Sequence, residues 1–398
     1  MSNETSQDWS PDDVITWILS EGRFLPSLRD IVEEVGELLA LAGAPVWRVR
    51  IALRTLHPLV SALSTAWERE SGIVSFNEAP HGLETRDSYV GSPMDVIATS
   101  GRTFRRRLDQ LADSDHLILH ELRERGATDY LGLPLLYSDG GGGIIVFATE
   151  RIGGFSEKDV EKFTKLANVI APIVEIFRLK HLSQAVSAAY LGPRTAERIL
   201  AGQITLGHID KIRAAIMVSD LRGWTAMNAE LPPEESLARV NRYFDLMDVA
   251  IAGQGGEILK FLGDGILAIF TDTSDDDGLE VCNAAHAAAL SALDAVDEQA
   301  LDWDMQFGIA LHYGEVLYGN VGSVGRLDFT VMGQAVNIAS RLEPLSAVYD
   351  QAIICSEQFA ARVDALARPL GQERIKGLDA AQTIFALYGA SNTTQPRT

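Results

Sequence analysis

The order of apolar segments between Ala214 and Leu311 constrains the fold of this chain more than any other feature. Ala214–Val218 is a short apolar run followed by Ser219-Asp220-Leu221-Arg222-Gly223, which predicts a buried strand that opens into a loop. A helix is predicted to begin at Pro232-Pro233 and to end at Gly253. Its buried face would consist of apolar residues at helical spacing, namely Leu237, Val240, Phe244, Met247 and Ile251.

A hairpin, a second helix and a final strand follow. Glu257–Leu262 and Ile266–Phe270 flank the turn Gly263-Asp264-Gly265. An alanine-rich helix comes after Asp275-Asp276-Asp277, whose charge suits a helix N-terminus. From Trp303 to Leu311 large apolar residues alternate with polar or small ones, which predicts a strand with one buried face. The order β-α-β-β-α-β is the ferredoxin-like arrangement, in which two helices cover one face of an antiparallel sheet.

The first half of the chain has a different mixture of helix and strand signals. Leu28–Leu41 is predicted to be a helix and Val46–Leu53 a strand. Tyr130–Tyr137 and Ile144–Ala148 flank a turn that contains four glycines, which predicts a hairpin. We therefore expect an α+β protein, with an α+β first domain and a ferredoxin-like second domain.

A long helix is predicted to begin at Ser156, a residue that can cap it, with Glu157 and Asp159 in the first turn. A heptad-like apolar seam runs along this helix through Val160, Phe163, Ala167, Ile170, Val174 and Phe177. The seam either lines a dimer or packs on the sheet of its own domain, and the sequence leaves both interpretations open.

These patterns divide the 398 residues into five segments. The segments are an N-terminal stretch (1–27), a first domain (28–180), a connecting helix or linker (181–210), a second domain (211–390) and a disordered tail (391–398). Two domains agree with the usual size of roughly 100–200 residues per domain.

Composition and charge exclude several classes of protein. With 46% hydrophobic residues the chain can bury cores, so disorder over most of its length is excluded. A net charge of −21 repels nucleic acid and anionic membranes, so we expect neither as a partner. Cys282 and Cys355 are too few for a disulfide framework. The acidic N-terminus does not resemble a signal peptide and no stretch suits a membrane span, so we expect a cytoplasmic protein.

Asp220 and Asp264 are candidates for a metal site, although they lie far apart along the chain. The predicted topology brings the end of the first strand close to the tip of the neighbouring hairpin. Two carboxylates with few polar neighbours suit Mg²⁺, which keeps waters and takes other ligands from substrate phosphates. The alternative is that Asp264 is only a turn residue and Asp220 only a cap.

Three segments around these residues occur in a fixed order: Ser219–Thr225 (SDLRGWT), Leu259–Gly265 (LKFLGDG) and Phe329–Leu342 (FTVMGQAVNIASRL). Together they resemble the catalytic domain of class III nucleotidyl cyclases, over about Arg213–Leu387. The resemblance implies a ferredoxin-like domain that converts a nucleoside triphosphate into a 3′,5′-cyclic nucleotide and pyrophosphate.

The resemblance also implies roles for individual residues. Asp220, Asp264 and the backbone carbonyl of Leu221 match the ligands of two Mg²⁺ or Mn²⁺ ions. Lys260 matches the lysine that reads adenine. Thr330 stands where many cyclases have an aspartate as the second base-reading residue, and a threonine at this position resembles the subgroup called class IIIb.

Four further positions match residues that contact the ribose or the phosphates. Asn337 matches the asparagine that orients the ribose. Arg341, four residues later on the same helical face, matches the arginine that stabilises the transition state. Lys376 resembles a triphosphate-binding lysine, and Arg326 resembles a further phosphate contact.

The chemistry of Lys260 favours ATP over GTP. Its ammonium group can only donate hydrogen bonds, and adenine N1 accepts one whereas guanine N1–H donates one. Thr330 can donate or accept, so it weakens this discrimination. Trp224 and Gln334 also depart from the commoner family pattern, but neither departure removes a metal ligand.

We therefore expect an adenylate cyclase that works as a homodimer. In this family opposite protomers supply the metal-binding aspartates and the group that matches Lys260, Asn337 and Arg341. Two alternatives stay open, namely a guanylate cyclase and a catalytically inactive nucleotide-binding signalling module.

The first domain resembles a GAF-type sensor domain through Gly132-Leu133-Pro134-Leu135, the glycine-rich hairpin and Gly154-Phe155-Ser156. The resemblance implies a small-molecule or protein effector, which the sequence does not identify. Candidate pocket residues are His57-Pro58, Trp67, Ser88-Tyr89 and Arg105-Arg106-Arg107. Control over the second domain would pass through the predicted helix from Ser156 to Tyr190.

Overall fold

The computed structural model divides the chain into two compact units, residues 1–189 and residues 190–398. The structure describes residues 9–54, 60–70, 72, 74–205, 207–274, 276–298, 303–323, 325–376, 378 and 380–389. The expected tail, residues 391–398, therefore lies outside the described residues. None of the helices in the described ranges is long and apolar enough to cross a lipid bilayer.

The first unit is built on a six-stranded antiparallel sheet with the order β3-β2-β1-β6-β5-β4. Its elements are α1 (Asp12–Ser20), α2 (Leu28–Leu41), β1 (Arg48–Arg54), β2 (Val60–Glu68), β3 (Val74–Pro80), α3 (Pro93–Ser100), β4 (Phe104–Arg107), α4 (Leu117–Glu124), β5 (Asp129–Leu136), β6 (Gly142–Thr149) and α5 (Glu157–Leu191).

The elements predicted for this unit are confirmed. Helix α2 has the predicted bounds, and Ser27 caps it by accepting a hydrogen bond from the N–H of Asp30 at 3.2 Å. Strand β1 begins at Arg48, two residues later than predicted. Strands β5 and β6 form the predicted hairpin, in which Tyr130 lies opposite Ala148.

The seam of α5 packs into its own unit. Phe163, Ala167, Ile170 and Val174 are buried in a core that also contains residues of α2 and of the sheet, such as Val49. Of the two interpretations left open by the sequence, the structure supports packing on the sheet of the same domain for these residues. Helices α3 and α4 contribute to a second apolar cluster on the other face of the sheet.

Only some of the pocket residues suggested by the sequence line a cavity of this unit, which has a volume of about 550 Å³. Ser88 and Tyr89 do. Trp67 does not, because it is buried in the core on the opposite face of the sheet. Arg105 does not either, because it pairs with Asp129. His57-Pro58 lie outside the described residues.

The second unit is built on an eight-stranded sheet with the order β13-β14-β12-β10-β7-β9-β8, and β11 pairs with β10. Its elements are α6 (Pro193–Leu200), β7 (Ile209–Leu221), α7 (Trp224–Glu230), α8 (Pro233–Gly253), β8 (Glu257–Leu262), β9 (Gly265–Thr271), α9 (Leu279–Glu298), β10 (Phe307–Ser323), β11 (Arg326–Met332), α10 (Gln334–Leu342), α11 (Leu345–Val348), β12 (Ile353–Ser356), α12 (Glu357–Ala360), β13 (Ala367–Glu373) and β14 (Gln382–Leu387).

The ferredoxin-like prediction is confirmed for the centre of this unit. Elements β7, α8, β8, β9, α9 and β10 follow one another, and their strands lie antiparallel in the order β10-β7-β9-β8. Helices α8 and α9 pack together against one face of the sheet. Helix α10, which lies outside the six-element pattern, packs on other strand residues.

One residue of the predicted apolar face of α8 is not in the core. Leu237 is 59% exposed, because the buried residues of the helix run through Ser236, Val240, Tyr243 and Met247. With roughly 3.6 residues per turn, residue 237 points about 100° away from Ser236. Ser236 therefore occupies the core-facing position that the sequence pattern predicted for Leu237.

Strand β10 also differs from its prediction. It begins at Phe307, so Trp303 and Met305 precede it, and both faces of its first residues are buried. The predicted strand with one solvent-facing side is therefore wrong. A Cβ atom added to Gly308 would lie 2.0 Å from Ser346 Oγ. The small residues of the alternating pattern therefore lie where the second face of the strand packs closely against other residues.

Candidate active site

Strand β7 and the β8–β9 turn bring Asp220 and Asp264 together. Asp220 is the penultimate residue of β7 and pairs with Gly265 of β9, which follows Asp264 directly. The turn is possible because Gly263 has a φ of 73°, a left-handed conformation that glycine adopts without strain. The side chains of Asp220 and Asp264 are close enough for the charge of Asp264 to raise the pKa of Asp220, as the predicted proximity requires.

Acidic groups crowd this edge of the sheet. Burial, together with the charge of Asp264, raises the pKa of Asp220 to about 6. Burial also raises the pKa of Glu343, just after α10, to about 7, and the negative charge of Asp220 contributes to that increase. Throughout the described ranges, no lysine or arginine forms an ion pair with any of these three carboxyl groups.

Arg222, the basic side chain whose charge acts on Glu343, is bound elsewhere. Arg222 Nη2 donates to the backbone carbonyls of Ser346 at 3.1 Å and Gln351 at 2.8 Å. The charge of Arg222 acts to lower the pKa of Glu343 but does not neutralise that carboxylate. The guanidinium is instead bound to carbonyl groups in the loop around α11.

A buried hydrogen bond supports the strand end from behind. The hydroxyl of Tyr243 donates to Ser219 Oγ at 2.7 Å, and both residues are fully buried. Because Ser219 precedes Asp220, this bond fixes the backbone that carries the aspartate. The strand end is therefore a rigid support for a functional side chain.

The donor set fits a hard divalent cation. Asp220, Asp264 and the carbonyl of Leu221 offer oxygen ligands, the type that Mg²⁺ and Mn²⁺ prefer. Among the residues described, no cluster of three or more His, Cys, Asp or Glu side chains is placed to hold a metal ion. Two carboxylates without a counter-ion suit an ion that takes its remaining ligands from water and phosphate.

The predicted base-reading residues lie on β8 and β11. Lys260 follows an irregularity in the β8 register and forms an ion pair with Asp328 of β11. Thr330 is buried two residues after Asp328, on the same side of the strand, and pairs with Gly319. Lys260, Asp328 and Thr330 therefore belong to one neighbourhood.

Asn337 and Arg341 lie on α10. The helix buries Ala335, Ile338 and Ala339 and leaves Asn337 and Arg341 exposed, so the predicted shared helical face is confirmed. No hydrogen bond or ion pair among the described residues joins this pair to Asp220 or Asp264. A single chain thus brings the aspartates together but does not join them to the α10 pair.

The two remaining candidates are solvent-exposed. Lys376 lies after β13, next to the buried Ile375, and Arg326 is the first residue of β11. Within the part of the chain that the structure covers, neither forms a hydrogen bond or an ion pair with the other candidate residues.

Sequence reasoning missed two acidic residues, Asp328 and Glu343. The alternation of a strand could have revealed Asp328, because a residue two before Thr330 shares its face. Nothing local marks Glu343, whose relation to Asp220 arises only when α10 packs on the sheet.

Two family models match the chain. Residues 208–385 match the adenylate and guanylate cyclase catalytic domain, and residues 25–174 match the GAF domain. The second unit therefore carries a cyclase catalytic domain, and the first carries a GAF domain.

Similar proteins include two named adenylate cyclases. The chain is 36% identical to the adenylate cyclase of Anabaena cylindrica over 202 residues, which are 46% of this chain and 38% of that protein. It is 30% identical to adenylate cyclase 1 of Rhizobium meliloti over 191 residues, or 46% of this chain and 29% of that protein. The chain thus spans less than two fifths of the length of either relative. The solved structure of the adenylyl cyclase CyaB from P. aeruginosa is 25% identical, with a TM-score of 0.42, over 47% of this chain and 100% of that chain.

Proposed function

We propose that this chain is a cytoplasmic adenylate cyclase, which converts ATP into 3′,5′-cyclic AMP and pyrophosphate under the control of its GAF domain. The observation that carries the proposal is the adjacent, un-neutralised pair Asp220 and Asp264 at a strand end of a cyclase catalytic domain. The names of the relatives in Anabaena and Rhizobium support ATP as the substrate.

The reaction joins the ribose 3′-oxygen to the α-phosphorus and breaks the bond from that phosphorus to the departing pyrophosphate. Asp220, Asp264 and the Leu221 carbonyl would hold two Mg²⁺ or Mn²⁺ ions. Such ions lower the pKa of the 3′-hydroxyl and neutralise phosphate charge, so no side-chain base is required. The rigid end of β7 keeps the carboxylate of Asp220 in place for this task.

Arg341 and Asn337 act on the substrate directly in this proposal. The guanidinium of Arg341 donates to α-phosphate oxygens as negative charge grows there, an interaction worth about 3–4 kcal/mol by analogy with one oxyanion-hole donor. The amide of Asn337 orients the ribose, which keeps the 3′-oxygen in line. Lys376 and Arg326, both exposed cations, would bind the triphosphate.

Asp328 positions Lys260 for the base. An ammonium group has three N–H donors, so Lys260 can keep its ion pair with Asp328 and still donate to adenine N1. Thr330 adds a hydroxyl on the same side of β11. This arrangement favours ATP over GTP. The carboxylate of Asp328 is a hydrogen-bond acceptor near the edge of the base, and the hydroxyl of Thr330 is a weaker one.

We further propose that the working form is a homodimer with two shared sites. Asn337 and Arg341 are exposed and have no contact with the aspartates of their own chain in the described ranges, which is what a site completed by a second copy requires. Mixing Asp220→Ala with Arg341→Ala protein should then restore activity, because each heterodimer has one intact site. Heterodimers that form but stay inactive would rule out shared sites.

Product identification tests the proposed activity. The purified chain is incubated with Mn²⁺ and either ATP or GTP, and the products are separated and identified by mass spectrometry. We expect cyclic AMP and pyrophosphate from ATP, with much less cyclic GMP from GTP. Cyclic GMP as the main product would make the chain a guanylate cyclase, and no cyclic nucleotide from either substrate would make it a nucleotide-binding regulator.

A further inference from the structure

Glycine flanks Asp220 on both neighbouring strands. Asp220 pairs with Gly265 of β9 on one side and with Gly308 of β10 on the other. Residues that lie directly opposite each other in an antiparallel sheet have side chains on the same face. The space that a side chain at either glycine would fill is therefore next to the side chain of Asp220.

Carboxylate oxygens lie in both of these spaces. A Cβ atom added to Gly265 would lie 3.0 Å from Oδ1 of Asp220 itself, and one added to Gly308 would lie 2.7 Å from Oε1 of Glu343. Glu343 follows α10 directly, so its side chain reaches from the helix end over Gly308. The negative charge of Asp220 contributes to the raised pKa of Glu343, which agrees with this proximity.

The carboxylate of Glu343 has few partners. In the described ranges it accepts one hydrogen bond, a long one from Ser346 Oγ at 3.5 Å, and it forms no ion pair with a lysine or arginine. Arg222 is bound to the backbone carbonyls of Ser346 and Gln351. Because Glu343 is partly buried, a charge with so few hydrogen bonds is costly, and its oxygens can accept further donors.

We propose that Glu343 is a positioning residue of the cation site. Its carboxylate accepts hydrogen bonds from the water that a divalent cation keeps when Asp220 and Asp264 hold the ion. Groups that act on a metal site in this indirect way typically change its affinity by about 10- to 100-fold. This role rests on the proposed function, because it takes the two aspartates as the cation ligands.

Two other roles for Glu343 fit the structure less well. Direct ligation would need Glu343 to complete a cluster with the aspartates, and among the described residues no three such side chains are placed to hold a metal ion. A role in packing alone needs no charge. Glutamine has the same shape as glutamate and would relieve the repulsion from Asp220.

Binding of Mn²⁺ to the full chain, followed by electron paramagnetic resonance with a non-cyclisable ATP analogue present, tests this role. Glu343→Gln keeps the shape of the side chain and removes its charge, and it should raise the Kd for Mn²⁺ by about tenfold. Glu343→Asp keeps the charge on a side chain that is one methylene shorter. It should bind Mn²⁺ more tightly than Glu343→Gln, because water between the carboxylate and the ion can shift to bridge the gap.

Asp350→Asn is the matched control, because it removes one negative charge from the loop that follows α11. Asp350 is exposed and lies 3.5 Å from Arg222 Nη1, and its φ of 49° is also favourable for asparagine. The charge of an exposed residue is screened by salt, so the Kd for Mn²⁺ should change by less than about twofold. In metal-free buffer Glu343→Gln should not lower the urea midpoint, because it removes a repulsive charge.

Four results would overturn this role. They are Mn²⁺ binding by Glu343→Gln as tight as by the unaltered chain, no tighter binding by Glu343→Asp than by Glu343→Gln, an equal loss of affinity in Asp350→Asn, and a Glu343→Gln protein that is unfolded or has a lower urea midpoint without metal. Mn²⁺ binding that needs Asp220 but not Glu343 would overturn this role alone. No Mn²⁺ binding by the unaltered chain would overturn the proposed cation site as well.

Discussion

The carboxylates at the candidate active site differ from the buried carboxylates of the GAF domain in the partners that surround them. In the GAF domain Asp129 is fully buried, and its Oδ2 accepts hydrogen bonds from Arg105 Nη2 at 3.1 Å and from the N–H of Phe155 at 3.0 Å. Asp159, 4% exposed, is bound by Trp9 Nε1 at 2.8 Å and also by Ser156 and Arg151. In the catalytic domain Asp220 lies beside the carboxyl group of Asp264, and within the described ranges no lysine or arginine forms an ion pair with either.

The difference shows up in the direction of the pKa shifts. Burial alone would raise the pKa of Asp159, but hydrogen bonds from Trp9, Ser156 and Arg151 outweigh it and leave that pKa below its usual value. Burial and the charge of Asp264 raise the pKa of Asp220. A carboxylate that is paired with an arginine or with hydrogen-bond donors stabilises the fold. A carboxylate without such a partner, at a rigid strand end, is available to bind a cation.

The largest effect should come from removing the unpaired charge. Asp220→Asn and Asp264→Asn should each lower the rate of cyclic AMP formation by at least about 10³-fold. Neither should lower the free energy of unfolding in metal-free buffer, because each substitution removes repulsion between carboxylates. Turnover assays and urea titrations measure the two quantities, and a variant that is both active and destabilised would contradict the comparison.

The matched substitution in the GAF domain should have the opposite outcome. Asp129→Asn removes the buried charge that Arg105 faces, and Arg105 keeps the exposed Glu157 and the carbonyl of Phe155 as partners. We expect the free energy of unfolding of this domain to fall by about 2–3 kcal/mol, since Arg105 is partly exposed. Urea unfolding followed by Trp fluorescence measures this change. An unchanged urea midpoint would show that the Arg105–Asp129 ion pair does not stabilise the domain.

A buried histidine extends the comparison to a group that can give up its charge. His312 is 3% exposed, its Nδ1 lies 2.7 Å from Ser356 Oγ, and burial lowers its pKa to about 4. The unfolded chain takes up this proton near pH 6.5 and the folded chain only near pH 4. Acid therefore favours unfolding between these values, by about 3 kcal/mol below pH 4.

His312→Gln should remove this part of the pH dependence. Urea midpoints of the variant and the unaltered chain are compared at pH 7 and pH 4.5, where all other titrating groups are shared. The unaltered chain should lose more stability on acidification. Equal losses would mean that His312 is already charged in the folded protein.

The smallest effect should come from an exposed pair in the catalytic domain. Asp328→Asn leaves Lys260 charged but no longer held, so KM for ATP should rise about fivefold with little change in kcat, equivalent to about 1 kcal/mol. Glu315→Gln, which removes the partner of Lys211 in another exposed pair, is the control and should leave KM unchanged. Equal effects of the two substitutions on KM would show that Asp328 does not position Lys260.

Much of the fold could be predicted because local signals were strong. Proline at the start of α8, the Gly263-Asp264 turn and the apolar run of β7 each specify an element without help from distant residues. Their order then fixed the ferredoxin-like centre and the proximity of Asp220 and Asp264. The exposure of Leu237 could not be predicted, because which side of a helix meets the sheet depends on packing.

The environment of the candidate site could be predicted only in part. That Asp220 has a carboxyl neighbour followed from topology, but the contribution of Glu343 depends on where α10 packs. The partner of Lys260 depends on β11 lying near β8, which no local pattern shows.

Binding of Mn²⁺, measured by electron paramagnetic resonance in the presence of a non-cyclisable ATP analogue, tests most directly whether the unpaired carboxylates form the cation site. The unaltered chain and Asp129→Asn should both bind the ion, because the paired carboxylates of the GAF domain take no part. Asp220→Asn and Asp264→Asn should lose most of the bound signal at the same free Mn²⁺ concentration. Full Mn²⁺ binding by these two variants would contradict the account.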